Sequence, residues 1–404
     1  MNITGLGEVR PAHCLEPDAL ARVGEAEPRA FTEAEYAERV ERTRAGLAEL
    51  GADAILVFRP SSVDYLSGYF SAETAPQPLL VTADACYLYV LDLEIGRAVA
   101  SSVGADILYC DYSTMHRALE AICGHVARVL PETRRLAIDT SAPNTPPIAL
   151  EALRAAGVSI VEADNLVERQ RLVLSPAELD HVRAAAEITQ RGVDAAVAAA
   201  REPGVLDNEV GAAISEALLR DADSKSAWGP VVATGPRGGI AHSTWRGTPL
   251  AEVTFIEFAG THRRYHAPVM RTLCRGEPPE KARRLESLAG TAVAAVLDAA
   301  RPGVPCAQVA EHALRELGPL RDDEVFHHMF GYPIGIAHPP HWMDGAPFYL
   351  TTANEQPLQA GMVFHIPASF RSFGVMGVGL SQTFTVTENG ACALTHGSPE
   401  LIPI

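Results

Sequence analysis

The chain lacks the features that mark membrane, nucleic-acid-binding and disulfide-stapled proteins. No apolar window runs for roughly 18 residues without a charge, so no membrane span is expected. Basic residues are few: 33 Lys and Arg stand against 50 Asp and Glu, a formal charge of -17 that opposes binding to a phosphate backbone and suits a freely soluble protein or a cationic ligand. Seven cysteines (Cys14, Cys86, Cys110, Cys123, Cys274, Cys306 and Cys392) are odd in number and never spaced as Cys-x-x-Cys. That scatter argues against a zinc site and a disulfide framework, and for a reducing cytoplasm. The first 30 residues carry Glu8, Arg10, Glu16 and Asp18 where a secretory signal would need an unbroken apolar run. No low-complexity tract or long charge run interrupts the chain.

What is present reads as α/β sequence of two or three domains, since 404 residues exceed the common domain size of about 150. Thr32 followed by Glu35 is a capping-box pattern; it opens a helix carrying Tyr36, Val40, Leu47 and Leu50, which Gly51 closes. Residues 54–58, Ala-Ile-Leu-Val-Phe, read as a buried strand. Further short strands at 79–82, 86–91, 135–138 and 159–161 alternate with Ala-rich helical stretches such as 116–130. At Ser175-Pro176-Ala177-Glu178 a second capping box opens a helix running to Ala200, with proline at the first helical position. The boundary is placed just before it, giving an extension at 1–30, an α/β domain at 31–168 and a second domain at 169–404. The second domain alternates helices at 175–200, 207–219, 279–300 and 306–317 with two pairs of extended segments, 253–260 with 265–273 and 362–370 with 377–387. Two helix pairs and two strand pairs predict an internal duplication.

Several words in the chain carry a resemblance. They are Ser61-Ser62-Val63-Asp64-Tyr65-Leu66-Ser67-Gly68-Tyr69, Leu174-Ser175-Pro176-Ala177-Glu178, Gly361-Met362-Val363-Phe364 and Val386-Thr387-Glu388-Asn389-Gly390. In this order they are similar to landmarks of the creatinase and prolidase superfamily: an N-domain motif ending Tyr-Leu-Thr-Gly-Phe, the linking Lys-Ser-Pro-x-Glu and two C-terminal strands. The resemblance runs from about Phe31 and implies an α/β N-terminal domain followed by an α+β pita-bread catalytic domain. It also implies a homodimer formed through the N-terminal domain, in which a loop with Asp64, Tyr69 and Glu73 can reach the partner's active site.

In the peptidases of that superfamily two aspartates, a histidine and two glutamates bind a dinuclear metal centre. At the corresponding positions this chain has Glu257, Pro268, Tyr332, Pro367 and Ser381, so the resemblance implies neither a catalytic metal nor another cofactor. Metal-free members include creatinase and ectoine hydrolase, which hydrolyse carbon–nitrogen bonds in small amidine-like or guanidinium-like compounds. The chain resembles ectoine hydrolase most through residues 255–268 (Phe-Ile-Glu-Phe-Ala-Gly-Thr-His-Arg-Arg-Tyr-His-Ala-Pro), 331–342 (Gly-Tyr-Pro-Ile-Gly-Ile-Ala-His-Pro-Pro-His-Trp) and 361–365. It departs at Gln382, where those enzymes have glutamate, and at Ile366-Pro367-Ala368-Ser369-Phe370.

Opening a resonance-stabilised amidine requires attack at carbon, a group that moves protons and a partner for the delocalised cation. Glu257 suits the nucleophile or the cation anchor. His242 matches the histidine that acts as base in creatinase, and imidazole titrates near neutrality. Trp245, Tyr265, His266, Tyr332, His338, Trp342, His365 and Gln382 are candidate substrate-binding residues. Tyr265 and His266 are successive in a strand, so at most one shares a pocket with Glu257. His365 points either into the site or into the core. Arg271 reads as the structural partner of a nearby acid. The expected ligand is small, polar or zwitterionic. The other readings are a non-catalytic binding protein of the same fold and a residual Xaa-Pro metallopeptidase.

Overall fold

The computed structural model describes residues 1–7, 16–24, 29–220, 223–397 and 399–404, which form two compact units, 1–170 and 171–404. Glu8, Arg10 and Cys14 lie outside the described residues; the other cysteines are free thiols. Among the described residues no helix is long and apolar enough to cross a membrane.

The first unit is built on seven strands: β1 (Ile3–Gly5), β2 (Ala54–Val57), β3 (Leu79–Thr82), β4 (Cys86–Leu91), β5 (Asp106–Cys110), β6 (Arg135–Ile138) and β7 (Ser159–Glu162). They lie in the order β1-β5-β4-β3-β2-β6-β7, antiparallel only where β3 meets β4 and β2. Among the described residues seven α-helices accompany them: α1 (Pro17–Gly24), α2 (Glu33–Leu50), α3 (Pro60–Ser67), α4 (Ile95–Ser101), α5 (Ala118–Val129), α6 (Pro147–Ala155) and α7 (Leu166–Gln170). Thr32 caps α2 by accepting from Glu35 N, and Gly51 ends it at φ 61, a left-handed conformation that glycine adopts without strain. Leu56, Leu80, Leu108 and Leu136 of the sheet meet Ile122 and Val126 of α5 and Leu153 of α6 in one core. The stretch read as an extension contributes a sheet strand, because Ile3–Gly5 pairs in parallel with β5. Three residues are too few to show a period in sequence. Asp64 lies within α3 and not in a loop.

In the second unit, helices α8 (Pro176–Ala200) and α9 (Asp207–Arg220) pack on a sheet of β8 (Val231–Thr234), β9 (Val253–His262), β10 (Tyr265–Cys274) and the short C-terminal β17 (Ile402–Pro403). Between β10 and β17 come α10 (Glu280–Ala299), α11 (Cys306–Leu317), β11 (Tyr332–Pro333), β12 (Val363–Ile366), β13 (Ser369–Ser372), β14 (Met376–Gly379), β15 (Gln382–Thr387) and β16 (Gly390–Ala393). The sheet β11-β12-β15-β16 and the ribbon β13-β14 carry α10 and α11. Both halves therefore repeat a helix pair on a sheet. The second strand pair read from sequence is not continuous: β12 pairs with β15 and β13 with β14, because each segment breaks, one at Pro367-Ala368 and the other at Leu380-Ser381. Proline has no N–H to extend a ladder.

Helix α8 is seated on β9 at Gly260. A side chain there would fall 2.5 Å from both Ala185 O and Thr189 N, and Thr189 Oγ1 instead accepts from Gly260 N at 2.9 Å while donating to Ala267 O at 2.6 Å. The Ser175–Glu178 capping box opens this helix as the sequence indicates.

Candidate active site

Strand alternation divides β9 into two faces. Ile256 and Phe258 join Val232, Val269 and Leu273 against α8 and α9. Phe255 and Glu257 face the other way, beside Val231, Ala233 and Met270. In the second sheet Phe364 and Phe384 enter the helical core, while His365 stands opposite Tyr332 on one side and Thr383 on the other. The two outward faces meet: Thr383 Oγ1 donates to Pro268 O at 2.9 Å, Met270 N to Ser381 Oγ at 2.6 Å and Ser381 N to Met270 O at 3.1 Å.

Glu257 is 5% exposed, and its carboxylate has no hydrogen-bond or ion-pair partner among the described residues. Burial pushes its pKa up to about 7, with Arg371 pulling weakly the other way. Arg371, on β13, lies with its guanidinium carbon 5.5 Å from the Phe255 ring. Its Nε is buried without a partner among the described residues, and burial lowers its pKa while Glu257 raises it. A buried acid and a half-buried cation thus lie within electrostatic reach of each other without forming an ion pair.

Tyr332, Trp342, His365 and Ser381 form a hydrogen-bonded chain. Trp342 Nε1 donates to the Tyr332 hydroxyl at 2.9 Å; that oxygen is 2.7 Å from His365 Nδ1, and His365 Nε2 is 2.7 Å from Ser381 Oγ. Burial holds the His365 pKa down to about 3, with the Arg271 charge adding to the effect, so the imidazole is neutral. Tyr332 is shifted upward, first by burial and then by Glu257. A second group of rings forms a wall: Trp228 stacks on His341 at 4.9 Å and meets Trp342 edge-on at 5.0 Å and His242 at 5.5 Å. His242 is exposed and holds a left-handed φ of 59.

The structure brings together most, but not all, of the residues read from sequence. His266 shares the Glu257 face; its Nε2 accepts from Ala227 N at 2.9 Å, its ring lies 6.5 Å from Trp342, and burial lowers its pKa to about 3. His338 is buried in the same loop as Trp342. Three residues are placed elsewhere. Tyr265 lies on the opposite face, where its hydroxyl donates to Glu178 Oε1 of α8 at 2.6 Å. Trp245 packs on α9 at Gly211, whose missing side chain makes room for the indole. Gln382 pairs with Ile366, one residue out of phase with His365, and its amide donates to Thr395 O. Arg271 has no acidic partner among the described residues: it donates to the carbonyls of Met270, Ser381 and His396 at 2.9, 2.7 and 2.6 Å. Tyr265→Phe is expected to cost about 1–3 kcal/mol of stability through loss of the hydroxyl's hydrogen bond to the Glu178 carboxylate, with turnover unchanged, as paired urea melts and assays will show.

Sequence reasoning missed Trp228 and Arg371. Trp228 is one of only three tryptophans, which was the available signal. Arg371 directly follows the segment 366–370 where the chain departs from the ectoine hydrolase pattern, and a lone arginine in a strand gives no cue to what it faces.

Two family models match the chain: metallopeptidase family M24 over residues 180–388 and the creatinase/prolidase N-terminal domain over residues 39–173. An uncharacterized hydrolase/peptidase of Sinorhizobium fredii, y4tM, is 30% identical over 397 residues, 92% of this chain and 98% of its own. The ectoine hydrolase of Halomonas elongata is 26% identical over 385 residues, 89% of this chain and 95% of its own. The prolidase from Pyrococcus horikoshii OT3 superposes with a TM-score of 0.77 at 22% identity, over 90% of this chain and 100% of its own, a likeness of fold.

A metallopeptidase centre needs several oxygen or imidazole donors converging on one point. Among the five positions that the resemblance assigns to ligands, only Glu257 offers a carboxylate; the Tyr332 and Ser381 hydroxyls are engaged by His365, and two positions are prolines. Among the described residues no group of three or more His, Cys, Asp or Glu side chains is placed to hold a metal ion. The residues present do not fit the metal centre that the family's name implies.

Proposed function

The chain belongs to metallopeptidase family M24, as a hydrolase of that family behind a creatinase/prolidase N-terminal domain, and we propose that it breaks a carbon–nitrogen bond in a small cyclic amidine or guanidino compound without a bound metal. The observation that carries this reading is Glu257, a buried acid with no hydrogen-bond or ion-pair partner among the described residues, within electrostatic reach of the half-buried Arg371, whose Nε has no hydrogen-bond partner among them either. An amidinium would satisfy the acid, and a carboxylate on the same small molecule would satisfy the arginine. A zwitterion of this kind also agrees with the name of the Halomonas elongata relative.

Net hydrolysis adds one water at the amidine carbon, breaks one carbon–nitrogen bond and leaves an amide and an amine. With its pKa near 7, Glu257 exists in both protonation states at neutral pH, as a group that pairs with a cation and then exchanges a proton requires. Glu257 is the nucleophile or the anchor of the cation; His242, on the ring wall against Trp228, moves protons to and from solvent. A cytoplasmic homodimer is part of the proposal.

The test is incubation of EDTA-treated protein with ectoine, hydroxyectoine, creatine and cyclic guanidino amino acids, followed by mass spectrometry for the gain of one water. Turnover of one of them, lost in Glu257→Ala, is the expected result. Failure on the whole panel, together with cleavage of Xaa-Pro dipeptides that appears only after manganese or cobalt is added, would overturn the proposal in favour of a peptidase.

A further inference from the structure

We infer that the groove between α8 and the C-terminal segment 396–403 binds a small carboxylate with a short apolar body, held by the guanidinium of Arg271 on the groove's floor. The site lies on the opposite face of β9 and β10 from Glu257, and it does not depend on the hydrolase reading.

Strand parity places Arg271 where an apolar residue belongs. It lies between Val269 and Leu273 in the row of β10 that faces α8, and its cross-strand partner Ile256 belongs to the same core. Arg271 is 2% exposed. A cation at that depth is costly unless it is paired. Among the described residues no carboxylate pairs with it: Glu187 accepts from His396 Nε2 at 2.7 Å, and Asp194 from Gln190 Nε2 at 2.8 Å.

Carbonyls engage one part of the guanidinium. Nη1 donates to Met270 O and Ser381 O, and Nη2 to His396 O, while Nε has no acceptor among the described residues. A structural arginine that ties these carbonyls together accounts for Nη1 and Nη2 and leaves Nε idle. An arginine presents its Nε–H and one Nη2–H side by side, the fork that a carboxylate takes with both oxygens. The Cβ that Gly397 lacks would stand 3.8 Å from Nη2 and 3.9 Å from Nε, so residue 397 puts no side chain over the part of the guanidinium that bears both atoms.

The groove that Arg271 lines has a volume of about 540 Å³, a size typical of small-molecule sites. One wall is a face of α8, where Val193, Val197 and Ala198 recur at helical spacing, and Leu401 and Ile402 form the other. Exposed charges of both signs, Arg201 with Asp194 and Glu400, stand at its rim and set no net preference. The floor and the walls therefore select the ligand: a single carboxylate on a few apolar carbons. A phosphate carries more oxygens than one fork satisfies.

The probe is sodium isocaproate, whose branched end suits the apolar walls, titrated into the full chain by isothermal calorimetry, with isocaproamide as the uncharged control. Saturable binding of the carboxylate, at least about tenfold tighter than the amide, is the expected result. Arg271→Lys keeps the charge but loses the fork, and is expected to weaken binding about tenfold. Ala198→Trp leaves Arg271 untouched and fills the groove from an exposed position, so it is expected to abolish binding, with circular dichroism showing that each variant is folded. Where Arg271→Lys does not fold, Ala198→Trp decides. The inference is overturned by a wild-type protein that does not bind isocaproate, or binds the amide or inorganic phosphate as tightly. Binding that persists unchanged in Ala198→Trp overturns it as well, because the carboxylate then sits elsewhere in the chain. None of these readouts involves turnover, so the hydrolase reading stands or falls separately.

Discussion

Glu257→Gln is expected to abolish turnover and, at the same pH, to make the protein more stable. The loss follows from removing a buried carboxylate that has no hydrogen-bond or ion-pair partner among the described residues, and at least a thousandfold fall in kcat is the expected scale for a nucleophile or essential acid–base group. The gain follows from the same burial. Glu257 has its pKa raised in the folded protein from 4.5 to about 7, so the folded state binds a proton more tightly than the unfolded state does. Stability from this group is therefore greatest below the unfolded value and declines as pH rises through the folded one. Above pH ~7 the whole penalty is present, roughly 3 kcal/mol at most from the shift. Glutamine carries no charge to desolvate. The two proteins should unfold at similar urea concentrations near pH 4, and the variant should be the more stable near pH 8. Trp228, Trp245 and Trp342 all belong to the second unit, so tryptophan fluorescence follows that unit alone. A variant that is less stable at pH 8 would mean that the pocket favours the charged carboxylate, and the argument from an unpartnered acid would fall. Opposite effects on activity and stability are what a site kept under electrostatic strain produces.

How much of this could be read from the chain depends on how local each cause is. The hairpin of β9 and β10 is legible because a long apolar run, a polar turn and a second apolar run lie side by side, and its register then follows. The site within it is less legible, because strand parity decides everything and parity shifts with one residue. Tyr265 and His266 are neighbours, yet one belongs to α8 and the other to the Glu257 face. Gln382 reads as a substrate contact because it stands where ectoine hydrolases have glutamate; its partner Ile366 faces the core, while His365 pairs with Thr383. The break at Pro367 that splits the second strand pair has a local cause, but which ribbon each fragment joins does not. Arg371 reaches the pocket only because β13 folds back on β14 over Phe255. Such a placement depends on residues more than 100 positions apart in sequence, and no spacing rule within one segment reveals it.

Asp207→Ala is expected to be the most destabilising single change in the second unit, and to silence the site from a distance. Asp207 begins α9, where a carboxylate also complements the helix dipole, and it is 0% exposed. Its Oδ1 accepts from the backbone N–H groups of Arg246, Gly247 and Thr248 at 3.2, 2.9 and 3.1 Å, and its Oδ2 from Thr248 Oγ1 at 3.1 Å and from the Arg237 guanidinium. Burial alone would raise its pKa, but these donors outweigh burial and hold it below the ordinary carboxylate range. The loop so gathered, from Arg237 to Thr248, is the one that carries His242 at its left-handed φ. Alanine leaves three backbone N–H groups without their acceptor and Arg237 with Thr248 Oγ1 in place of a carboxylate, which costs about 3–5 kcal/mol for a buried charged network. His242 then loses the frame that sets it against Trp228, so turnover should fall at temperatures well below the melting point. Asp207→Asn keeps an acceptor for the backbone groups but turns an amide towards Arg237, and should lie between the two. The sign with pH is opposite to that of Glu257: a lowered pKa gives stability that is present above the ordinary value of 3.8 and is lost as pH falls through the folded value. The acid side of the melting-temperature profile should therefore be shallower in Asp207→Ala than in the wild-type protein. A variant that melts within about 1 kcal/mol of wild type, with full activity, would show that the loop holds its shape through Arg237 and the chain itself, and that Asp207 is a bystander to His242.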